Sequence, residues 1–266
     1  MQDITKHFKV EPADFYHRQA KAYLSSHQLM HFMKCPFLWR KDNLGLIEEA
    51  RRTEYVIGEA THTRILEGRD EFNGRYVWES PINPTTGKPY GATTKKYADW
   101  KKAQHRIVLT RTQVFGIEEM AAGVESNESA VQLLNRGQAE AVVRGVFEGL
   151  NCQIRIDWFN PMHGIVDLKT CNDIDWFEYD AKKYKYDIQA SFYREVLQAV
   201  TGHYVPVHII AVEKNEPYRC GVWLVTQDTL HTARKKIVAA IKRFKECKTD
   251  GFWPTGYEEV RQLQIV

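Results

Sequence analysis

The sequence predicts an α/β fold with a central mixed β-sheet flanked by helices, and three observations lead there. The N-terminal half carries helical spacing. A block of short runs rich in β-branched and aromatic residues, separated by turn chemistry, follows from about residue 138. A long helical pattern, two further strands and a last helix then close the chain, an order that suits helices packed on a sheet.

The elements follow in order. Residues 25–42, SSHQLMHFMKCPFLWRKD, begin with serine caps and place Leu29, Phe32 and Met33 at helical spacing, predicting a short helix stopped near Pro36. Residues 54–67, EYVIGEATHTRILE, read as a second helix. Residues 71–92 are rich in Gly, Pro, Asn and Thr and read as loops around a short strand in RYVWES. Residues 93–106, TTKKYADWKKAQHR, predict a polar, basic helix, and residues 112–135 carry helical signals broken near 126–129. AEAVVRGVFEG, CQIRIDWFN and GIVDLKT, joined by LN and PMHG, predict an antiparallel three-strand meander. A helix over about 178–201 comes next, then strands VPVHIIAVEK and RCGVWLVT with a turn at NEP, a helix over about 227–247, and an irregular tail.

Composition narrows the class. Of 266 residues, 43% are hydrophobic and 12% aromatic, enough for a substantial core, and the net charge is only +3. Any basic surface must therefore come from the distribution of charge. The five cysteines form no CxxC, which points to free thiols in a reducing compartment. No apolar run approaches the ~18 residues of a membrane span, and the N-terminal stretch lacks the apolar segment of a signal peptide. The expectation is a cytoplasmic protein that does not enter a membrane.

GIVDLKTCNDIDWF, residues 164–177, puts Asp167 and Lys169 on one face of an otherwise buried-looking strand, with Ile165, while Val166 and Leu168 take the other. On the preceding strand the same alternation groups Arg155, Asp157 and Phe159 against Ile154, Ile156 and Trp158. A hairpin symmetric about Met162 sets Asp157 opposite Asp167 and Arg155 opposite Lys169, with opposed Cβ atoms about 4.5–5.5 Å apart. Two carboxylates that close call for a proton or a cation between them, and a divalent metal with oxygen ligands is the economical answer. Lys169 would then orient or deprotonate a water. A lone D-x-K is more often a solvated strand face, so the company matters. GEATH offers Gly58, for close backbone approach, and His62, a frequent ligand type. YDIQASFY sets Tyr186, Gln189 and Tyr193 on one helix face, a stripe suited to phosphates and bases, opposite a core face of Ile188, Phe192 and Val196. Glu140, ahead of the meander, is one more carboxylate.

GEATH, RID, DLKT and YDIQASFY, in that order, resemble the RecB-type branch of the PD-(D/E)xK nucleases, whose pattern runs GxxxH, strand Asp, (D/E)xKT and Q-xxx-Y. SSHQLMHFMKCP and AEAVVRGVFEGLNCQIRIDW are similar more narrowly to RecE, exodeoxyribonuclease VIII, and its phage relatives. The resemblance spans about residues 20 to 225. It implies a restriction-endonuclease-like core in one nuclease domain over 1–266: a helical part to about 135, a catalytic meander and helix over about 136–201, and closing strands and helix over about 202–266. It further implies His62, Asp157, Asp167 and the Leu168 carbonyl as metal ligands. Lys169 becomes the catalytic lysine, with Glu140 as a further acidic position. Gln189 and Tyr193 would organise the site and contact DNA, with Tyr186 and Arg155 as further DNA-contact candidates.

The implied reaction is Mg²⁺-dependent hydrolysis of phosphodiester bonds, with Mn²⁺ able to substitute, from double-stranded DNA ends, 5′ to 3′. The implied setting is phage-type recombination, in a trimeric or tetrameric ring beside a single-strand annealing protein. The cysteine spacing gives no four-ligand group, so no iron–sulfur cluster is expected. Phosphate-contacting cations are sought in 93–106, in AKKYKY and in ARKKIVAAIKRFKECK. The alternatives are a structure-specific or restriction-type endonuclease on the same fold, or a non-catalytic DNA-binding relative.

Overall fold

The computed structural model describes residues 4–47 and 53–264. Helices come first: α1 (Ala13–Arg18), α2 (Ser26–Lys34), α3 (Pro36–Asn43), α4 (Thr53–His62) and α5 (Arg69–Arg75). A two-residue strand, β1 (Tyr76–Val77), pairs in parallel with β2 (Ile107–Val108) across the loop that carries α6 (Lys95–Lys102). After α7 (Arg111–Glu125) and α8 (Glu128–Leu134) come β3 (Gln138–Phe147), β4 (Leu150–Asn160) and β5 (Gly164–Cys171). α9 (Phe177–Lys183) and α10 (Tyr186–Thr201) lead to β6 (Val207–Glu213) and β7 (Cys220–Leu224), and α11 (Gln227–Asp250) closes the order.

The main sheet runs β3-β4-β5-β6-β7, parallel only between β5 and β6 and antiparallel elsewhere. It is the mixed sheet that the sequence predicts. Its two faces are covered by separate apolar clusters. Ile154, Ile156 and Ile165 pack with Phe192 and Val196 of α10 and Ile237 and Ile241 of α11. Val166, Leu168, Ile210 and Val212 pack with Ala60 of α4, Ile117 and Met120 of α7 and Leu133 of α8. Among the described residues, no helix is long and apolar enough to cross a membrane.

Local chemistry explains most boundaries. α2 starts in a capping box, Ser25 Oγ accepting from Gln28 N–H while the Gln28 side chain accepts from Ser25 N–H. Pro36 ends α2 as expected, but it also opens α3 at its first turn, where a missing N–H costs nothing. The predicted helix over 178–201 is two helices, because Lys185 takes a left-handed backbone with φ 59°, a conformation that costs a non-glycine residue roughly 1–2 kcal/mol. Aromatic packing sets the angle there: Phe177 lies 4.5 Å from the Trp223 ring and 6.1 Å from that of Tyr186, centre to centre. The helix at 54–67 ends at His62 and passes into a π-helical turn, Thr63–Glu67.

The alternation along β4 also differs from expectation. Ile154 and Ile156 face the α10 side, whereas Trp158 packs on the α7 side. The ladder between β3 and β4 skips Glu140 and Asp157, and Glu140 is left-handed with φ 54°. An interruption of this kind turns both strands over at one step.

At the far end of β6, the buried Glu213 side chain pins two connections. It accepts from Ile174 N–H at 2.9 Å and from Arg219 N–H at 3.2 Å, and pairs with the Arg219 guanidinium at 2.7 Å. These bonds hold its carboxyl at about 2, below the ordinary glutamate value of 4.5, with the Arg219 hydrogen bond as the largest cause. A depressed folded pKa means the stabilisation is complete above the unfolded value and is lost as pH falls through about 2. Glu213→Gln should therefore lower stability by about 2 kcal/mol at neutral pH. In urea melts the gap between wild type and variant should narrow as pH drops below about 4.

Candidate active site

β4 and β5 pair only at Trp158–Val166, Phe159–Ile165 and Asn160–Gly164, a register centred on Met162 as the sequence suggests. Beyond Trp158 the strands part, so Asp157 with Asp167 and Arg155 with Lys169 are not ladder pairs. Asp157 fills the fork instead: its Oδ2 accepts the Leu168 N–H at 2.9 Å. In a strand the N–H and C=O of one residue point the same way, so the Leu168 carbonyl also faces the fork.

Charged groups gather around that point. His62, at the end of α4, brings Nδ1 to 3.5 Å from Asp157 Oδ2. Asp167 is buried on β5, with Oδ2 2.5 Å from Lys169 Nζ. Its other oxygen, Oδ1, is buried with no hydrogen-bond partner. Glu140 faces Asp157 across the interrupted β3–β4 ladder, and its Oε2 lies 2.5 Å from Arg155 Nε. The Tyr186 ring centre is 5.0 Å from Lys169 Nζ. Gln189 and Tyr193, both buried, share a hydrogen bond of 3.3 Å.

Burial and like charge shape the electrostatics. Burial pushes the Asp157 and Asp167 carboxyls up, and Asp157 adds to the effect on Asp167. Glu140 is pushed up to about 8 by burial and then by Asp157, with Arg155 opposing. His62 is pushed down to about 4 by burial and then by Lys169. Burial works against the Lys169 charge, yet Asp167 and Asp157 hold its pKa above the ordinary lysine value.

His62, Asp157, Leu168, Asp167, Lys169 and Tyr186 thus meet pairwise at the fork, Glu140 is tied to Arg155, and Gln189 and Tyr193 pair with each other on α10. No other part of the protein approaches Gly58 closely: a Cβ built there meets nothing within 4 Å. Part of the basic stripe on α11 is engaged internally. Arg234 binds Glu195 at 2.9 Å, and Lys236 lies 3.4 Å from Asp187.

Sequence reasoning misses the N-terminal segment. Leu24 takes the edge of β4 that β5 leaves, with Leu24 N–H donating to Asn151 O at 2.8 Å and Gln153 N–H to Leu24 O at 2.9 Å. Lys9 pairs with Val142 on the outer edge of β3. The segment so held brings Tyr16, His17 and His27 near enough to feel the charges of the cluster. His27 is pushed down by burial and by Lys169, His17 by burial and by Arg155. A histidine alone in a polar stretch carries no periodic signal, and only the long-range pairing brings these residues in.

The donor set fits a hard divalent cation: two carboxylates, a backbone carbonyl and an imidazole. The unpartnered Asp167 Oδ1 and the raised carboxyls are what such a cation would relieve. Among the described residues no three His, Cys, Asp or Glu side chains stand close enough to cage a metal as they lie, and Lys169 serves as the nearest cation to Asp167.

Residues 25–264 match the family described as a PDDEXK-like domain of unknown function (DUF3799). No curated protein matches the chain. The crystal structure of a "putative exonuclease" from Eubacterium rectale shares the fold, with a TM-score of 0.71 at 19% identity over 97% of this chain and 97% of that one.

Mg²⁺ at about ten times its dissociation constant should stabilise the protein by about 1.4 kcal/mol, seen as a melting shift of roughly 3–5 °C over a chelator baseline. Asp167→Asn should abolish the shift. No shift for wild type with either Mg²⁺ or Mn²⁺ would refute cation binding by this cluster alone.

Proposed function

The chain belongs to the PDDEXK-like family DUF3799, and on that premise we propose that it is a divalent-cation-dependent exodeoxyribonuclease acting on double-stranded DNA ends. The observation that carries this reading is the convergence of His62, Asp157, Asp167 and Lys169 on the fork between β4 and β5. The Eubacterium rectale protein, described as a "putative exonuclease", accords with it.

In this mechanism Asp157, Asp167, His62 and the Leu168 carbonyl would hold Mg²⁺ or Mn²⁺. The cation supplies Lewis-acid charge stabilisation and favours ionisation of water. The chain's own residues do the positioning. Asp157 fixes Leu168 through its N–H, and so sets the direction of the Leu168 carbonyl. Lys169 donates hydrogen bonds to the reacting water and to a non-bridging phosphate oxygen. Water oxygen bonds to phosphorus as its proton passes to solvent, the bond to the leaving sugar oxygen breaks, and that oxygen takes a proton from solvent water. Gln189 and Tyr193, hydrogen-bonded to each other under the site, keep the α10 face in register with the strand. Glu140 positions Arg155, and through Arg155 the edge of the DNA path.

The finer assignments rest on the motif resemblance. They are a RecE-like exonuclease of phage-type recombination, 5′ to 3′ polarity, a homo-oligomeric ring and a single-strand annealing protein as partner.

The decisive experiment compares a linear 5′-phosphorylated duplex with a covalently closed circle, both with Mg²⁺. Loss of the linear substrate alone is expected, and opening of the circle would replace this reading with an endonuclease. Cutting of neither, with Mn²⁺ also tried, would point to a DNA-binding relative. Lys169→Ala should cut at least about 10²-fold more slowly while still melting cooperatively.

A further inference from the structure

The turn between α9 and α10 displays two tyrosines beside the catalytic lysine. Left-handed Lys185 separates Tyr184 from Tyr186 and brings their rings to 6.0 Å, centre to centre, at 30°. Tyr186 covers Lys169 Nζ at 5.0 Å, and Lys183 Nζ lies 5.2 Å from the Tyr184 centre. A ladder of cation, ring, ring and cation therefore runs from the reacting centre out to solvent, where Tyr184 is 51% exposed. Strained backbone of this kind persists where the surroundings hold it. Here the inner ring packs on buried Phe177, and the outer ring stands in water.

We propose that Tyr184 and Tyr186 form a stacking platform for an unpaired nucleobase of the strand whose phosphate lies at Lys169. The inference rests on the nuclease reading and deepens it: the substrate at the reacting centre is a strand separated from its complement. Every base has an apolar face that stacks on an aromatic ring, so such a platform is indifferent to sequence. Lys183 is a long exposed side chain that can leave the ring for a neighbouring phosphate when a base arrives. Duplex stacking must be broken at the end before a base reaches the ring, and the platform offsets part of that cost.

The test uses a short single-stranded oligonucleotide with a terminal 2-aminopurine, with Ca²⁺ in place of Mg²⁺ to suppress cutting. Wild type should quench its fluorescence on binding. Tyr184→Ala and Tyr184→Leu should lose the quenching and bind about tenfold more weakly or worse, and Tyr184→Phe should restore both. The leucine variant keeps apolar volume, so it separates stacking from packing, and matching melting temperatures confirm the fold. If wild type cuts linear duplex while Tyr184→Ala and Tyr184→Leu bind and quench as wild type, the platform is wrong and the nuclease reading stands. If wild type neither cuts duplex nor binds the oligonucleotide, the nuclease reading fails and the platform falls with it.

Discussion

The hydrogen bond from Leu168 N–H to Asp157 Oδ2 organises this molecule. A backbone donor on a central strand needs a partner. Where β4 and β5 stop pairing, a carboxylate replaces the missing strand. The sheet can thus open at its middle without leaving that amide unsatisfied. The opening frees one edge of β4 for Leu24 and brings α4 and His62 to its rim, beside the buried Asp167–Lys169 pair.

The same opening gathers charge at a cost. Asp157, Asp167 and Glu140 are pushed toward the neutral form by burial, while Lys169 and Arg155 are the nearest compensating cations. Replacing such groups with apolar side chains commonly leaves a protein as stable or more so. The contrast with Glu213 is instructive. There two backbone donors and a guanidinium meet one carboxylate and hold it ionised. One carboxylate is held ionised by its partners, and the others are pushed toward the neutral form.

Much of this was legible in the chain. The hairpin register about Met162, the sharing of one strand face by Asp167 and Lys169, and the order of helices and strands follow from period-2 and turn chemistry. The fork does not, because it depends on where β5 turns toward β6, which only the assembled sheet decides. The left-handed backbones at Glu140 and Lys185 carry no glycine to announce them, so the face reversal of Trp158 and the break before α10 go unsignalled. Tyr16, His17 and His27 reach the cluster only through the bridges at Lys9 and Leu24, which join residues more than a hundred positions apart in sequence.

Those bridges bear on where the folding unit begins. The family match starts at residue 25, just past Leu24, so a boundary drawn there looks natural. It would strip the cover from the outer edge of β3 and from the freed edge of β4 at once. Bare strand edges recruit other chains. A protein shortened to the matched region would keep every recognisable motif and still tend to aggregate, and it would lose Tyr16 and His17.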